Sequence, residues 1–343
     1  MADRTALVTG ATGYLGAALV PALVADDWEV RATGRRPRAD AAWLADGVDY
    51  APADLAGHDD LASLLDGVTT VFHLAGASSS TSDQAEMDRT NVSGTGRLVA
   101  AAARASGVER FVHMSSTSVY GEDRQLPLPV REDVDVHPSR GYGKAKWGAE
   151  GRVWAAGRDG LAVVVLRPVS VYGPRAVKLV ASAILDVAVE RRAGVPRVAV
   201  HREPVEQRLL HVDDLVAATV HVASSDAAVG RAFNVTSGVY PTSIEVAAAL
   251  AEEFGMELEE SDDPECGLPH ERRVAVREQM LADGMEPHIL LTPQRFRFLA
   301  KANRNNRLSL DALESTGFRP RHTDTREGIA GAVAWYREHR WVL

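Results

Sequence analysis

Three glycines at every third position near the N-terminus constrain this chain more than any other feature. Leu7 and Val8 read as a short buried strand, Gly10, Gly13 and Gly16 as a G-x-x-G-x-x-G turn, and residues 17–23 as the helix that follows. Gly10 lets the chain turn sharply off the strand, Gly13 lets the backbone approach a phosphate with no Cβ in the way, and Gly16 lets the helix pack close to the sheet. A pyrophosphate then meets the unpaired N–H groups of the helix N-terminus, beside Thr12, Tyr14 and Leu15.

A chain of 343 residues accommodates a main domain with a smaller second one. Its formal charge of -9, with no basic stretch, argues against nucleic acid as a partner. Cys266 is the sole cysteine, so no intrachain disulfide or cysteine-based zinc site can form, and no metal is expected. Met1-Ala2-Asp3-Arg4 runs directly into the first strand, leaving no room for a signal peptide. No apolar run reaches the ~18 residues of a membrane span; Leu179 to Val189, interrupted by Asp186, comes nearest. A cytoplasmic protein with no membrane partner is the expectation.

Residues 28–33 read as the second strand, followed by the loop Gly34-Arg35-Arg36-Pro37-Arg38. An acid in this loop would bind an adenosine ribose 2′-hydroxyl. Gly34 stands in its place, and Arg35 and Arg36 can pair with a 2′-phosphate, so NADP is favoured over NAD; solvated loop charges are the plainer alternative. A third strand over 48–51 leads to Asp54 and Leu55 near the adenine, unless Asp54 is simply a helix N-terminal acid. A short helix is expected over 59–65 and a buried strand over 70–76, with His73 as a hydrogen-bonded strand-end residue in preference to a base. A long helix over 84–106 carries Asn91, a fifth strand spans 110–114, and an aperiodic segment over 122–140 is long enough to be functional.

A helix opens at Gly141 and a sixth strand covers 161–166. The alternation of strands and helices implies an α/β fold, a doubly wound parallel sheet with right-handed crossovers. From Pro168 the pattern changes to shorter strands (197–200, 209–212, 232–235) and helices over 213–224, 243–254 and 325–338, with 255–307 the least readable region. The expected organisation is a dinucleotide-binding Rossmann domain over 1–168, rejoined by about 205–236, and a smaller α/β substrate-binding domain over most of 169–343.

Tyr142 and Lys146 lie one turn apart on a single helix face. A phenol titrates near 10 and is a poor base at neutral pH, but a nearby ammonium favours the phenolate. Tyr142 can then exchange a proton with a substrate hydroxyl or carbonyl while Ser116 orients the same oxygen. No G-x-S-x-G elbow supports hydrolase chemistry, and the glycine turn lacks a Walker ending.

Taken together, Thr9-Gly10-Ala11-Thr12-Gly13-Tyr14-Leu15-Gly16, His73-Leu74-Ala75-Gly76, Asn91-Val92-Ser93-Gly94-Thr95, Ser115-Ser116, Tyr142-x-x-x-Lys146, Arg167-Pro168-x-x-Val171-Tyr172-Gly173-Pro174 and His211-Val212-Asp213-Asp214-Leu215 resemble the extended short-chain dehydrogenase/reductases, or NAD-dependent epimerase/dehydratase family. The resemblance runs from about Thr5 to Val235 and returns weakly over 307–334. It implies cofactor contacts at Leu74, Ala75, Gly76, Asn91, Ser115, Pro168 and Val171, Lys146 on the nicotinamide ribose, and a homodimer formed by the helices near 84–106 and 142–157. Many members act on nucleotide-diphosphate sugars.

Departures from the family pattern bear on the substrate. Thr117 and Ser118 replace the Asp-Glu pair of the sugar-nucleotide dehydratases, so dehydration is not expected. Ser170 and Gln207 replace an asparagine and a diphosphate-gripping arginine common in epimerases; Arg208, Arg175, Arg295 or Arg297 can supply the charge, and Ser78 and Thr117 complete the candidate substrate contacts. The expected function is NAD(P)-dependent epimerisation or ketone reduction on a nucleotide sugar. The alternative is an NADPH-dependent reductase of a non-nucleotide ketone or aldehyde, like the dihydroflavonol reductases and hydroxysteroid dehydrogenases. A non-catalytic dinucleotide-sensing regulator would have no need of Tyr142 and Lys146 one turn apart.

Overall fold

The computed structural model describes residues 4–41, 44, 47–78, 82–121, 125–136, 138, 141–262, 268–286 and 307–343. Cys266, Arg295, Arg297 and parts of the 122–140 segment lie outside the described residues. By internal contacts the chain divides into a first unit of Met1–Val169, Leu215–Val235 and Leu308–Arg319 and a second of Ser170–Asp214, Thr236–Arg307 and Pro320–Leu343.

The chain opens with β1 (Thr5–Thr9), α1 (Tyr14–Ala25), β2 (Glu29–Thr33), β3 (Asp49–Tyr50), β4 (Thr70–His73), α2 (Gln84–Met87), α3 (Thr95–Arg104), β5 (Arg110–Met114), α4 (Gly141–Arg158) and β6 (Val163–Pro168). Then follow β7 (Ser170–Tyr172), α5 (Val180–Arg192), β8 (Arg197–His201), β9 (Leu209–His211), α6 (Val212–Ser224) and β10 (Arg231–Val235). The last elements are α7 (Ser243–Phe254), β11 (Glu257–Ser261), α8 (His270–Ala282), α9 (Asp311–Glu314) and α10 (Thr325–Glu338).

Seven strands form one sheet in the first unit, ordered β10-β6-β5-β4-β1-β2-β3, with every neighbouring pair parallel. The chain winds outward from β1 in both directions, which confirms the doubly wound reading and puts the switch point between β1 and β4, where open α/β sheets bind ligands. Strands covered on both faces are largely apolar, and β4 and β6 are buried along their whole length, with His73 and Arg167 hydrogen-bonded inside. Leu98 and Val99 of α3 and Val153 of α4 pack with Phe111 and Val163 of the sheet.

The helix expected over 84–106 runs as α2, a π-helical stretch Asp88–Gly94 and α3, with helical dihedrals at both joints. Asn91 therefore sits in a widened turn of the kind that often marks a functional position. The helix expected over 59–65 is one 3-10 turn, Ser63–Leu65.

The second unit holds two small parallel sheets, β7-β9 and β8-β11. Helix α5 is buried from Val180 to Glu190 with one half-buried position, as befits a core helix. Among the described residues no helix is long and apolar enough to cross a membrane.

Candidate active site

The glycine turn is built on close approaches. Gly10 has φ 69°, and a Cβ there would lie 2.7 Å from the Ala75 nitrogen; one on Gly16 would lie 2.5 Å from Ala11 Cα. Gly13 caps α1 with no side-chain hydrogen bond, and the first turn carries no acid. The outermost N–H groups are thus left to a turn that only glycine backbone can form, beside half-buried Thr12, Tyr14 and Leu15. Such a cradle fits the pyrophosphate of a dinucleotide.

At the end of β2 a Cβ on Gly34 would come 2.8 Å from Thr12 Oγ1, so any side chain here must displace Thr12. The Arg35 side chain is exposed, its Nη1 3.3 Å from Glu86 Oε1. Arg36 is also exposed, while its carbonyl accepts the Tyr50 hydroxyl at 2.6 Å. Asp54 accepts the Ala56 N–H at 3.0 Å and contacts Arg89 Nη1 at 3.3 Å; slight burial raises its carboxyl, but these partners outweigh that and hold it below the ordinary range. Leu55 is buried, and its carbonyl accepts Arg97 Nη1 at 2.7 Å.

Leu74, Ala75 and Gly76 lead from the cradle to the lysine. A Cβ on Gly76 would lie 3.0 Å from Asn91 Oδ1 and 3.1 Å from Lys146 Nζ. Asn91 holds this exit with both ends of its amide, accepting the Ala77 N–H at 2.8 Å and donating to the Ala77 carbonyl at 2.9 Å. Lys146 is buried and donates to the Met114 carbonyl at 2.8 Å. One turn earlier on α4, Tyr142 packs against Ala77, Met87 and Ala145, its ring centroid 5.8 Å from Lys146 Nζ.

The start of α4 lies flush against the turn after β5, because a Cβ on Gly143 would come 2.2 Å from the Ser118 carbonyl oxygen. In that turn Ser116 is half-buried and accepts the Ser118 N–H at 3.1 Å. Thr117 is turned inward, donating to the Pro168 carbonyl at 3.2 Å. Ser115, also buried, donates to Glu150 Oε1 at 2.5 Å. Ser78 is half-buried, its carbonyl accepting the Ser82 N–H at 3.0 Å.

Burial pushes Tyr142 up to about 12 and Lys146 down to about 8, the latter opposed by Glu150. Burial thus favours a protonated Tyr142 phenol at neutral pH in the chain alone. His73 is the hydrogen-bonded residue expected: Nδ1 contacts Thr9 Oγ1 at 2.7 Å and Nε2 contacts Thr95 Oγ1 at 2.8 Å. Burial, assisted by Lys146, takes it down to about 3, which keeps it neutral and weakly basic.

A buried network escaped the reading of the sequence. Glu150 accepts Arg167 Nε at 3.0 Å and Nη2 at 2.7 Å; Arg167 Nη1 donates to the Tyr120 hydroxyl at 3.0 Å, which donates to Asn234 Oδ1 at 2.6 Å. It ties α4 to the ends of β5 and β6. The available signal was the i, i+4, i+8 spacing of Tyr142, Lys146 and Glu150 on one helix face.

The remaining candidates lie in the second unit. Ser170 and Val171 are half-buried in β7, paired with Leu209 and Leu210. Gln207 is buried and donates to its neighbour Val205's carbonyl at 2.9 Å, and Arg208 is half-buried. Arg175 has φ 65°, and its guanidinium lies 5.5 Å over the Trp335 ring.

Comparison with known proteins agrees with this geometry. Sterol demethylase protein B of Methylococcus capsulatus is 32% identical, matching 98% of this chain and all of its own length. UDP-glucose 4-epimerase of Mycolicibacterium smegmatis is 33% identical over 77% of this chain and 85% of its own. The structure of MoeE5 in complex with UDP-glucose and NAD superposes with TM-score 0.69 at 27% identity, covering 97% of this chain and 99% of that one. The family model described as NAD dependent epimerase/dehydratase family matches residues 6–236. The chain belongs to that family and is one of its NAD(P)-dependent enzymes.

Proposed function

We propose that this enzyme interconverts a secondary alcohol and a ketone on a nucleotide sugar, as an epimerase or ketoreductase, with Tyr142 as the proton donor and acceptor. The observation that carries the reading is the contiguity of the glycine cradle, Gly76, Lys146 and the Ser116 turn within the first unit. A bound nicotinamide cofactor supplies or takes up hydride at the reacting carbon. Tyr142, a phenol near neutral pH, donates its proton to the substrate oxygen, and the Ser116 hydroxyl hydrogen-bonds the same atom. Lys146, held by the Met114 carbonyl, stabilises the phenolate that Tyr142 becomes. Ser170, Arg175, Gln207, Arg208 and Ser78 are the candidate substrate contacts. Tyr142→Phe is expected to lower turnover by about 10²–10⁴-fold with cofactor affinity retained; full activity overturns the assignment.

Arg35 and the closed space at Gly34 favour NADP over NAD. Equal affinities for the two, unchanged in Arg35→Asp, would reject that preference. The exposed small residues Ser93, Ala100 and Ala103 suit a homodimer formed through this helical face, which light scattering tests directly.

The end-to-end match to sterol demethylase protein B and the neutral Gln207 favour a second reading, reduction of a non-nucleotide ketone. Thermal shift against nucleoside diphosphates separates the two, since a nucleotide-sugar enzyme is stabilised by at least one of them.

A further inference from the structure

The motif His211-Val212-Asp213-Asp214 takes no part in the proton chemistry above. His211 ends β9, Asp213 and Asp214 lie in the first turn of α6, and His322 comes from the segment before α10. Asp214 accepts the N–H groups of Arg321 and His322, each at 2.9 Å, and its Oδ1 lies 3.2 Å from His322 Nδ1. A carboxylate on Nδ1 fixes the proton there and leaves Nε2 with its lone pair. The Asp213 N–H reaches His211 Nδ1 at 3.3 Å, which marks that nitrogen as the unprotonated one; a metal takes its lone pair by displacing this long hydrogen bond. The other side of the His211 ring faces Gly173, where a Cβ would come 3.1 Å from Nε2.

His211, Asp213 and His322 each offer one electron-pair donor, and the three donor atoms lie within 4.8 Å of one another. The carboxylate oxygen is 3.6 Å from His211 Nδ1 and 3.9 Å from His322 Nε2, too far for a shared proton. A cation with bonds of about 2.0–2.2 Å draws such donors together. The two rings stack with centroids 4.2 Å apart and planes 20° apart, so ligation requires the His322 ring to turn out of the stack. Its side chain is 38% exposed and that of Asp213 62%, which leaves both free to adjust.

We propose that His211, Asp213 and His322 form a binding site for a divalent transition metal, Zn2+ foremost, with a further coordination position open to solvent. Two imidazoles and one carboxylate are a donor set that zinc takes, and one too poor in oxygen for Ca2+ or Mg2+. The absence of cysteine sites carries no weight against it. The ion joins the start of α6 to the segment before α10, so binding raises the unfolding temperature of the apo-protein.

The test is titration of chelator-treated full-length protein with ZnCl2 by calorimetry and with CoCl2 by visible absorption. One ion per chain is expected, with affinity lowered at least tenfold in both His322→Ala and Asp213→Asn, and by about 10–100-fold in Asp214→Asn through its grip on His322. Both ligand variants are at accessible positions, and metal-free melting like that of the wild type separates loss of the site from loss of the fold. No binding at millimolar metal, or wild-type affinity in either His322→Ala or Asp213→Asn, overturns the three-ligand site.

Discussion

Among the described residues, each unit buries an arginine against carboxylate, and the two clusters solve the problem differently. In the first unit Arg167 meets Glu150 through two hydrogen bonds and donates from Nη1 to the Tyr120 hydroxyl and the Glu132 backbone carbonyl, while Glu150 also accepts the Ser115 hydroxyl. In the second, Arg273 on α8 meets two acids of α5: Nη2 bonds Glu190 Oε1, while Nη1 lies 3.1 Å from Asp186 Oδ1 without the alignment of a hydrogen bond. Among the described residues Asp186 Oδ2 also lacks a hydrogen-bond partner. Two carboxylates sharing one cation in a dry interior cannot both stay ionised cheaply. Burial, with Glu190 adding to it and Arg273 opposing it, takes Asp186 up to about 7. Charge balance, rather than burial alone, separates a rigid support from a cluster that holds a proton.

The comparison breaks most readily at Glu150. Replacing it with glutamine leaves the Arg167 charge unpaired and loosens the Ser115 hydroxyl, so Glu150→Gln should cost about 3–5 kcal/mol of stability in chemical denaturation. A loss below about 1 kcal/mol would show that the balanced pair contributes nothing special.

Why that pair was not legible in the sequence is a matter of range. Signals carried by near neighbours could be read: the three glycines, the Tyr142 and Lys146 turn, and α7, whose Thr242 and Glu245 form a capping box and whose Gly255 closes the helix at φ 61°. Glu150 and Arg167 are 17 residues apart on a helix and a strand, and only the sheet order makes them partners. The strands β7 and β9 have three residues each, too few for periodicity to register, and α8 is largely polar on its exposed faces. The tyrosine and lysine were found from spacing, but the burial that sets their proton affinities comes from Ala77, Met87 and the strand ends, which no local pattern encodes.

A smaller effect sharpens the role of Glu150 beyond stability. Lys146 sits at about 8 against an ordinary 10.5, and Glu150 is what opposes its burial. Between those values the unfolded chain holds a proton that the folded chain has released, so this lysine's contribution to stability rises with pH across the window. Activity runs the other way, because the ammonium that stabilises the Tyr142 phenolate is lost as pH rises through about 8. The kcat/KM profile should therefore fall above that pH, and in Glu150→Gln the fall should begin at lower pH. An unchanged alkaline limb would confine Glu150 to a structural role.

The remaining test lies in the second cluster. Asp186 holds its proton to about 7 in the folded chain but loses it near 3.8 when unfolded, so its contribution to stability declines as pH rises through that interval and is flat above it. Asparagine mimics the neutral carboxyl and does not titrate. Asp186→Asn should match the wild type near pH 4 and exceed it at pH 8, in line with the replacement of poorly compensated buried ions by neutral groups. Urea denaturation at the two pH values measures the difference. A destabilised variant at pH 8 would mean that Asp186 is ionised and held by Arg273 as firmly as Glu150 is held by Arg167, and the contrast between the two clusters would disappear.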